Sequence, residues 1–456
     1  YAYGTLNYLE YSRTIFFLGD MASETMTTKS DASADNQDLN NWKVGNFKTN
    51  GSLENFFKYA FIGVNRANAV IKKVPDAGFS QEQKDLFLGE AYFLRAWNYF
   101  NLVRNFGLVP LHKSVVETVD QTSTALAPDM DAMYDLILSD CRRAAELLPV
   151  YETPKIGRAD RVAAQALAAK AYLYVASAKE HGVKLYRDMH RDATVMYDSA
   201  AYFAGEVIEK QSVYGFESSL LDIYDVEKAR GKEHIFIMAM DRSGSSEGQY
   251  SKISKMFIPY IDGATLYLKQ GDKDEYIPTH DGWGEYQTTV AFYNTFDASD
   301  KRKTELIVDK VYKADGTLLG EYPGKIPYPF CRKYIDPKFE GDKTSTRPFL
   351  LRVSDVALIY AEAVGPTAKA YELVNFIRSR AGLGDMKPNL GKDEFRREIL
   401  KERTFELAFE GDHVYDLRRW NRITTDVPEA AGLSEDQVTF YPIPQAEINL
   451  NGSLRP

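Results

Sequence analysis

Residues 391–421 read GKDEFRREILKERTFELAFEGDHVYDLRRWN, and this stretch decides the fold. Positions 392–410 contain no proline or glycine and are rich in good helix formers, so a helix is predicted there. Gly411 suits the position just past a helix end, where a left-handed backbone is needed, and a second, shorter helix should follow. Phe395 and Ile399 begin an apolar stripe whose continuation at i+3 and i+4 falls on Glu402, Arg403, Glu406 and Glu410. Leu400, Leu407 and Ala408, with Phe405 and Phe409 beside them, bury the helix from the other side. Charges inside a buried surface persist only when paired and hydrogen-bonded. The expected pairs are Arg403 with Glu406, and Glu410 or Asp416 with Arg418 or Arg419. Glu402, Arg403, Glu406, Glu410, Asp416 and Arg419 should thus form a closed ion-pair lattice locking two helices together. On pattern alone, the competing reading is a solvated charged face.

The chain has 456 residues, room for one large domain or two or three ordinary ones. A hydrophobic content of 44% supports a substantial core. The net charge of −9, with no long basic run, argues against a nucleic-acid partner. Aromatic usage is skewed, with 30 Tyr and 25 Phe against 4 Trp; a tyrosine surplus suits flat ligands such as sugars, through an apolar ring with a polar tip. Two cysteines, Cys141 and Cys331, signal neither a disulfide framework nor a metal cluster. No stretch reaches the roughly 18 to 20 apolar residues that span a bilayer.

Away from the C-terminal stretch, residues 1–20 and 53–106 read as helices, the latter broken by a turn at Pro75 and Gly78. Phe57, Phe61, Val64 and Ala67 share one face; Leu88, Ala91, Leu94, Arg95, Asn98 and Leu102 recur at helical spacing. Two antiparallel helices joined by a short turn make a tetratricopeptide-like unit. A second hairpin is predicted from residues 125–178, with small residues at Ala164, Ala168 and Ala171 for close packing, and a third hairpin candidate starts at Asp192 and runs to about Lys210. From 211 to 347 the pattern changes. KEHIFIMAM (232–240) is strand-like, and Asp315-Gly316 marks a hairpin turn inside LIVDKVYKADGTLLGEY. The remainder is rich in Gly, Asp, Tyr and Pro, and a long irregular region on a helical base is usually a functional surface. Helices resume over 347–363 and 367–383. The division predicted is a single domain over 1–456: a helical scaffold at about 1–210 and 348–422, a loop-rich ligand-facing region at about 211–347, and a C-terminal segment at 423–456.

The segment ERTFELAFEGDHVYDLRRW (402–420) strongly resembles the C-terminal signature of the SusD-like (SusD/RagB) outer-membrane nutrient-binding lipoproteins. The match runs through Glu402, Arg403, Glu406, Leu407, Phe409, Glu410, Gly411, Asp416, Leu417, Arg419 and Trp420. His413 stands where that family usually carries arginine, which makes one ion pair of the lattice pH-sensitive. Four further motifs are similar: Gly89 to Pro110, the Gly157-Arg158-Ala159 helix opening, Asp300 with Arg302, and Pro442-Ile443-Pro444 with Glu447 and Ile448. The resemblance implies a mainly α fold of tetratricopeptide-like helical hairpins with an irregular loop-rich region and short β-strands. It also implies an export segment and lipid anchor lying outside this sequence, the outer face of an outer membrane as location, and a SusC-like TonB-dependent transporter as partner.

No HExxH or P-loop is present, and the six histidines are scattered. GSSEG (244–248) formally matches a nucleophile elbow, but Asp241, Arg242 and Ser243 separate it from the preceding strand, so a loop is the simpler reading of Ser246. Asp262, Asp281 and Glu285 are candidates for a glycosidase carboxylate pair by composition only, and nothing in the sequence tunes one against another. Asp272 and Asp274 in GDKDEY (271–276) are candidate calcium ligands, against the reading of a solvated acidic turn. The binding constellation is better supported. Trp283 lies between Gly282 and Gly284, where local packing is scant, with Asp281, Tyr286 and Tyr293 near in sequence. Tyr260 belongs to IPYIDGATLYLKQG (258–271), and Trp42 follows Asn40 and Asn41 in a polar loop. Rings stack on sugar C–H faces and amides bond hydroxyls. The ligand-binding candidates are therefore Trp42, Asn41, Trp283, Tyr286, Tyr260, Tyr293 and Asp281. The expected function is glycan capture at the cell surface for a transporter, without catalysis and without a cofactor. A peptide-binding uptake subunit and a glycoside-active enzyme stay open as alternatives.

Overall fold

The computed structural model describes residues 2–153, 155–210, 212–228 and 231–454. Its helices of six residues or fewer are left unnumbered. The longer ones used below are α1 (Leu9–Phe16), α2 (Gly51–Lys73), α3 (Gln81–Phe106), α4 (Met130–Leu147), α5 (Arg161–Glu180), α6 (Ala193–Lys210), α7 (Val353–Val364), α8 (Ala368–Arg380), α9 (Lys392–Glu406) and α10 (His413–Arg419). Helix starts follow the local chemistry. The Asn50 side chain accepts from the Ser52 and Leu53 N–H groups at 3.1 Å each, Ser80 and Gln83 form a capping box, and Asp160 accepts from the Ala163 N–H at 2.9 Å. From α2 to α6 each helix packs on the next, and α7 then packs on α6. Ala164, Ala168 and Ala171 are buried, and these small side chains let α5 lie close to both neighbours. The result is the expected mainly α arrangement of tetratricopeptide-like hairpins.

Short strands lie almost entirely between α6 and α7. A four-stranded antiparallel sheet runs β4 (Tyr276–Thr279), β3 (Leu266–Lys269), β7 (Lys310–Tyr312), β8 (Leu318–Glu321). Asp315 and Gly316 turn the β7–β8 hairpin, Gly316 with φ +79°. The remaining pairs are antiparallel: β1 (Met26–Thr28) with β5 (Tyr286–Thr288), β2 (His234–Ile237) with β10 (Phe349–Arg352), and β6 (Ile307–Val308) with β9 (Phe330–Cys331). Three boundaries differ from expectation. The first helix gives way after Phe16 to a π-turn over Phe17–Met21; residues 349–352 form a strand before α7 because they pair with β2; and α9 ends at Glu406 because Phe409, at φ +67°, and Gly411, at φ +83°, turn the chain.

The charges of 402–419 are buried, but their partners are not the sequence neighbours expected. Arg403 does not pair with Glu406. Its Nε donates to Asp416 at 2.7 Å and its Nη1 to Asp355 at 2.8 Å. Glu406 accepts from Arg352 at 2.9 Å and Arg380 at 2.8 Å, and its other oxygen lies 3.6 Å from Arg302. Glu410 pairs with Arg352 and Lys333, at 2.7 and 2.6 Å, instead of Arg418 or Arg419. Asp416 does pair with Arg419, at 2.8 Å. Arg418 instead lies 4.4 Å from the Tyr441 ring centre and donates to the Arg104 carbonyl. Glu402 pairs with Arg302 at 2.5 Å and Arg378 at 3.0 Å. Geometry explains the exchange: the buried face of α9 meets several elements at once, and their side chains supply the counter-charges in place of the helix's own.

Two sets of ion pairs therefore meet on α9. One reaches the strand region through Arg352, Glu233, Arg302, Asp300 and Lys333. The other reaches the scaffold through Asp355 and Glu362 of α7 and Lys170 of α5. Burial opposes the charge on Glu406, yet the Arg380, Arg352 and Arg302 guanidiniums hold its carboxyl well below the usual range.

Gly411 also explains the α1 turn. A Cβ on Gly19 would sit 1.9 Å from the Gly411 carbonyl oxygen, so the two backbones touch. Below that contact His413 donates from Nε2 to Glu24 at 2.7 Å, and buried Asp20 accepts from the Gly411 and His413 N–H groups at 2.6 and 3.2 Å. Burial works against a charged His413, but the Glu24 carboxylate, with Asp20 and Asp416, raises it from 6.5 to about 9. Burial of Asp20, partly offset by those N–H groups and His413, raises its carboxyl to about 6.

Gly19→Ala should lower the unfolding free energy by about 3 kcal/mol, because backbone rather than a flexible side chain must move. Gly4→Ala, whose added Cβ meets nothing within 4 Å, is the control and should stay near wild type in denaturant titration. The folded chain holds the His413 proton more tightly than the unfolded chain does, so its contribution is complete below pH 6.5 and is lost as pH rises through about 9. That alkaline loss should amount to about 3 kcal/mol. His413→Gln should flatten the stability profile over this window; an unchanged decline would contradict the pairing with Glu24.

Candidate ligand-binding face

Leaving β4, the chain passes back beneath residues 258–263 and is knitted to them. Trp283 N–H donates to the Lys255 carbonyl at 2.7 Å, Gly282 to Pro259 at 3.2 Å and Gly284 to Ile258 at 2.9 Å. Both glycines are needed. A Cβ on Gly282 would lie 1.9 Å from the Ile258 carbonyl oxygen, and Gly284 has φ +63°. The Asp281 carboxylate fastens the knot by accepting from the N–H groups of Ile261 at 2.5 Å, Gly263 at 2.7 Å and Gly282 at 3.0 Å. Two rings project from this small rigid piece: Trp283, 38% exposed, and Tyr260, 70% exposed. Asp281 thus supports the face through the backbone.

The other predicted ligand residues are dispersed. Trp42 is only 3% exposed. With φ +49° it turns inward, donates from Nε1 to the Ala22 carbonyl at 3.0 Å, and stacks on Tyr441. It is a core residue, which corrects its reading as a displayed ring. Tyr286 is likewise buried, packed against Phe16, Phe17 and Phe257, and its sequence nearness to Trp283 misled because β5 alternates its faces. Tyr293 is half-buried, its hydroxyl donating to Asp309 at 2.9 Å and its ring 4.5 Å from the Lys303 ammonium. Asn41 is exposed, its amide donating to the Gln37 carbonyl at 2.7 Å. Asp272 and Asp274 lie in the exposed turn between β3 and β4, and among the described residues no group of three or more His, Cys, Asp or Glu is placed to hold a metal.

Sequence reasoning missed the cations beside Trp283. Lys252 and Lys255, three residues apart, place their ammoniums 5.8 and 5.6 Å from its ring centre. Lys252 and Lys343 lie 5.9 and 5.2 Å from the ring centre of half-buried Tyr250. The signal was present as Tyr250-Ser-Lys252-Ile-Ser-Lys255. Elsewhere, a groove of about 1100 Å³ on the scaffold is lined by Phe57, Phe61, Phe79, Phe87, Val119 and Leu450; it includes none of the predicted ligand residues. No helix among the described residues is long and apolar enough to cross a membrane.

Comparison with known proteins agrees with this architecture. Residues 310–455 match the model of the SusD family, and residues 8–173 match a family described as starch-binding associating with outer membrane. A SusD-like protein, P2, of Formosa agariphila is 26% identical over 97% of this chain and 86% of its own length. Among solved structures, a SusD homolog from Bacteroides thetaiotaomicron superposes with a TM-score of 0.80 at 20% identity, over 99% of this chain and 94% of the other. A laminarin binding SusD-like protein does so with a TM-score of 0.79 at 24% identity, over 99% and 95%. With family matches at both ends and relatives aligned across nearly the whole length, the chain belongs to the SusD-like family.

Proposed function

We propose that this protein is a cell-surface glycan-binding subunit that captures oligo- or polysaccharide on the Trp283–Tyr260 face and passes it to a SusC-like TonB-dependent transporter. The observation that carries the reading is the knot of residues 258–263 and 281–284, which holds two exposed rings on a backbone fixed by six hydrogen bonds. A ring held this way loses little conformational freedom when a sugar stacks on it, so most of the contact energy appears as affinity. Relatives described as laminarin binding and surface glycan-binding, and the family described as starch-binding associating with outer membrane, support the same reading. We place the protein on the outer face of the outer membrane, held by a lipid anchor, with the scaffold helices turned to the transporter.

The mechanism is binding and release without bond chemistry. Asp281 has its carboxylate occupied by three backbone N–H groups. Glu285 accepts from Asn36 at 2.8 Å and lies 3.7 Å from Lys29. Asp262 is exposed and lies 3.7 Å from Lys325. Each of the three carboxylates is thus engaged by N–H groups or a cation of the protein itself.

Trp283→Ala should weaken glycan binding about tenfold or more in calorimetry against a glycan and peptide panel, the scale of one lost stacking contact. Trp42→Phe should lower stability and leave affinity unchanged, since that ring is internal. Equal glycan affinities for wild type and Trp283→Ala, or binding of peptides alone, would contradict the proposal.

A further inference from the structure

We propose that the Trp283 face selects acidic saccharides, sugars that carry a carboxylate or sulfate, over neutral ones. This inference rests on the glycan-binding reading above and narrows its ligand class. The whole chain is negative, at −9, and a generic polyanion would be repelled by it. The surroundings of Trp283 and Tyr250 have the opposite sign. Arg13, Lys252, Lys255 and Lys343 bring four positive charges, and the carboxylates paired with them are Glu247 and Asp342. Glu247 lies 3.1 Å from Arg13 and 3.9 Å from Lys252, and Asp342 pairs with Lys255. Lys343 donates to the Gly244 carbonyl at 3.2 Å, and no carboxylate pairs with it among the described residues. Asp281, beside Trp283 in the knot, adds a third carboxylate whose oxygens are taken up by backbone N–H groups, so four cations against three carboxylates leave a local excess of one positive charge.

The placement of that excess matters more than its size. Lys252 is shared by the two rings, 5.8 Å from the centre of Trp283 and 5.9 Å from that of Tyr250. A pyranose stacked on either ring would hold an exocyclic acid group at the ring edge, within reach of an ammonium on a flexible stem. The ammonium would leave the aromatic face for a charge-assisted hydrogen bond, which is stronger than a neutral one. A neutral hexose offers only hydroxyls there and leaves the cation–ring contacts unrewarded. Because the Debye length is about 8 Å in physiological salt, the positive patch governs the last step of approach and the distant negative charge is screened.

The test is titration of the intact protein with oligomers of a hexuronic acid, with their carboxyl-reduced neutral counterparts of equal length, and with sulfated neutral oligomers. The uronate or the sulfated series should bind at least about tenfold more tightly than the neutral one, and which of the two binds identifies the acid group. That preference should shrink as sodium chloride is added, and Lys252→Gln with Lys343→Gln should abolish it without changing the unfolding midpoint. Equal affinity for charged and neutral series, with both falling in Trp283→Ala, overturns the acidic selectivity and leaves the glycan-binding reading intact. No saccharide binding that depends on Trp283 overturns both.

Discussion

The fold depends on charge compensation inside a packed interior. Helix α9 exposes Glu394, Arg397 and Lys401 on one face, yet Glu402, Arg403 and Glu406 lie on its buried surface. An unpaired ion in such a place costs several kcal/mol, whereas a pair with its hydrogen bonds satisfied is tolerated. The arrangement is therefore strict about position. Arg352 donates to Glu406, to Glu410 and to Glu233, and Arg403 bridges Asp355 to Asp416. Each counter-charge comes from a different part of the chain, so the lattice can close only when all those parts are in place.

That property links the scaffold to the ligand face. Among the described residues the strand region holds no sheet of more than four strands, and its pieces are two to four residues long. Its order comes from outside: Lys333 and Arg352 bind Glu410, Arg302 binds Glu402, and β1 of the amino-terminal segment pairs with β5 just after Trp283. Phe257, beneath the knot of residues 258–263, packs against Tyr334 and Phe409. A continuous path of packed rings and ion pairs thus runs from α9 to the segment that displays Tyr260 and Trp283. Loops held this firmly can present rings to passing ligands at little entropic cost.

The sequence made some of this legible. Signs and burial could be read from 391–421, because glutamates that continue the apolar stripe of a proline-free helix must go inside with it and bring counter-charges. The partners could not. Arg403 and Glu406 stand three apart and look paired, but each reaches a side chain of a distant element. The same asymmetry divides the two tryptophans. Trp283 is displayed between Gly282 and Gly284, and a ring without flanking side chains is visible in a sequence, although the Ile258 and Tyr328 contacts that require those glycines are not. Trp42 looks equally exposed in its Asn-Asn setting, but its ring packs on Tyr441 near the other end of the chain, and no nearby residue announces that contact. Lys252 and Lys255 had a legible spacing, but their nearness to Trp283 needs the fold.

Native-state hydrogen exchange on Glu406→Gln tests the central claim most directly. Removing that charge leaves Arg352 and Arg380 short of a buried partner, a loss of about 3–5 kcal/mol. If the lattice joins scaffold to ligand face, amides of α9 and of residues 255–284 should lose protection together and by similar amounts. Loss confined to α9, with residues 255–284 as protected as in wild type, would contradict the account.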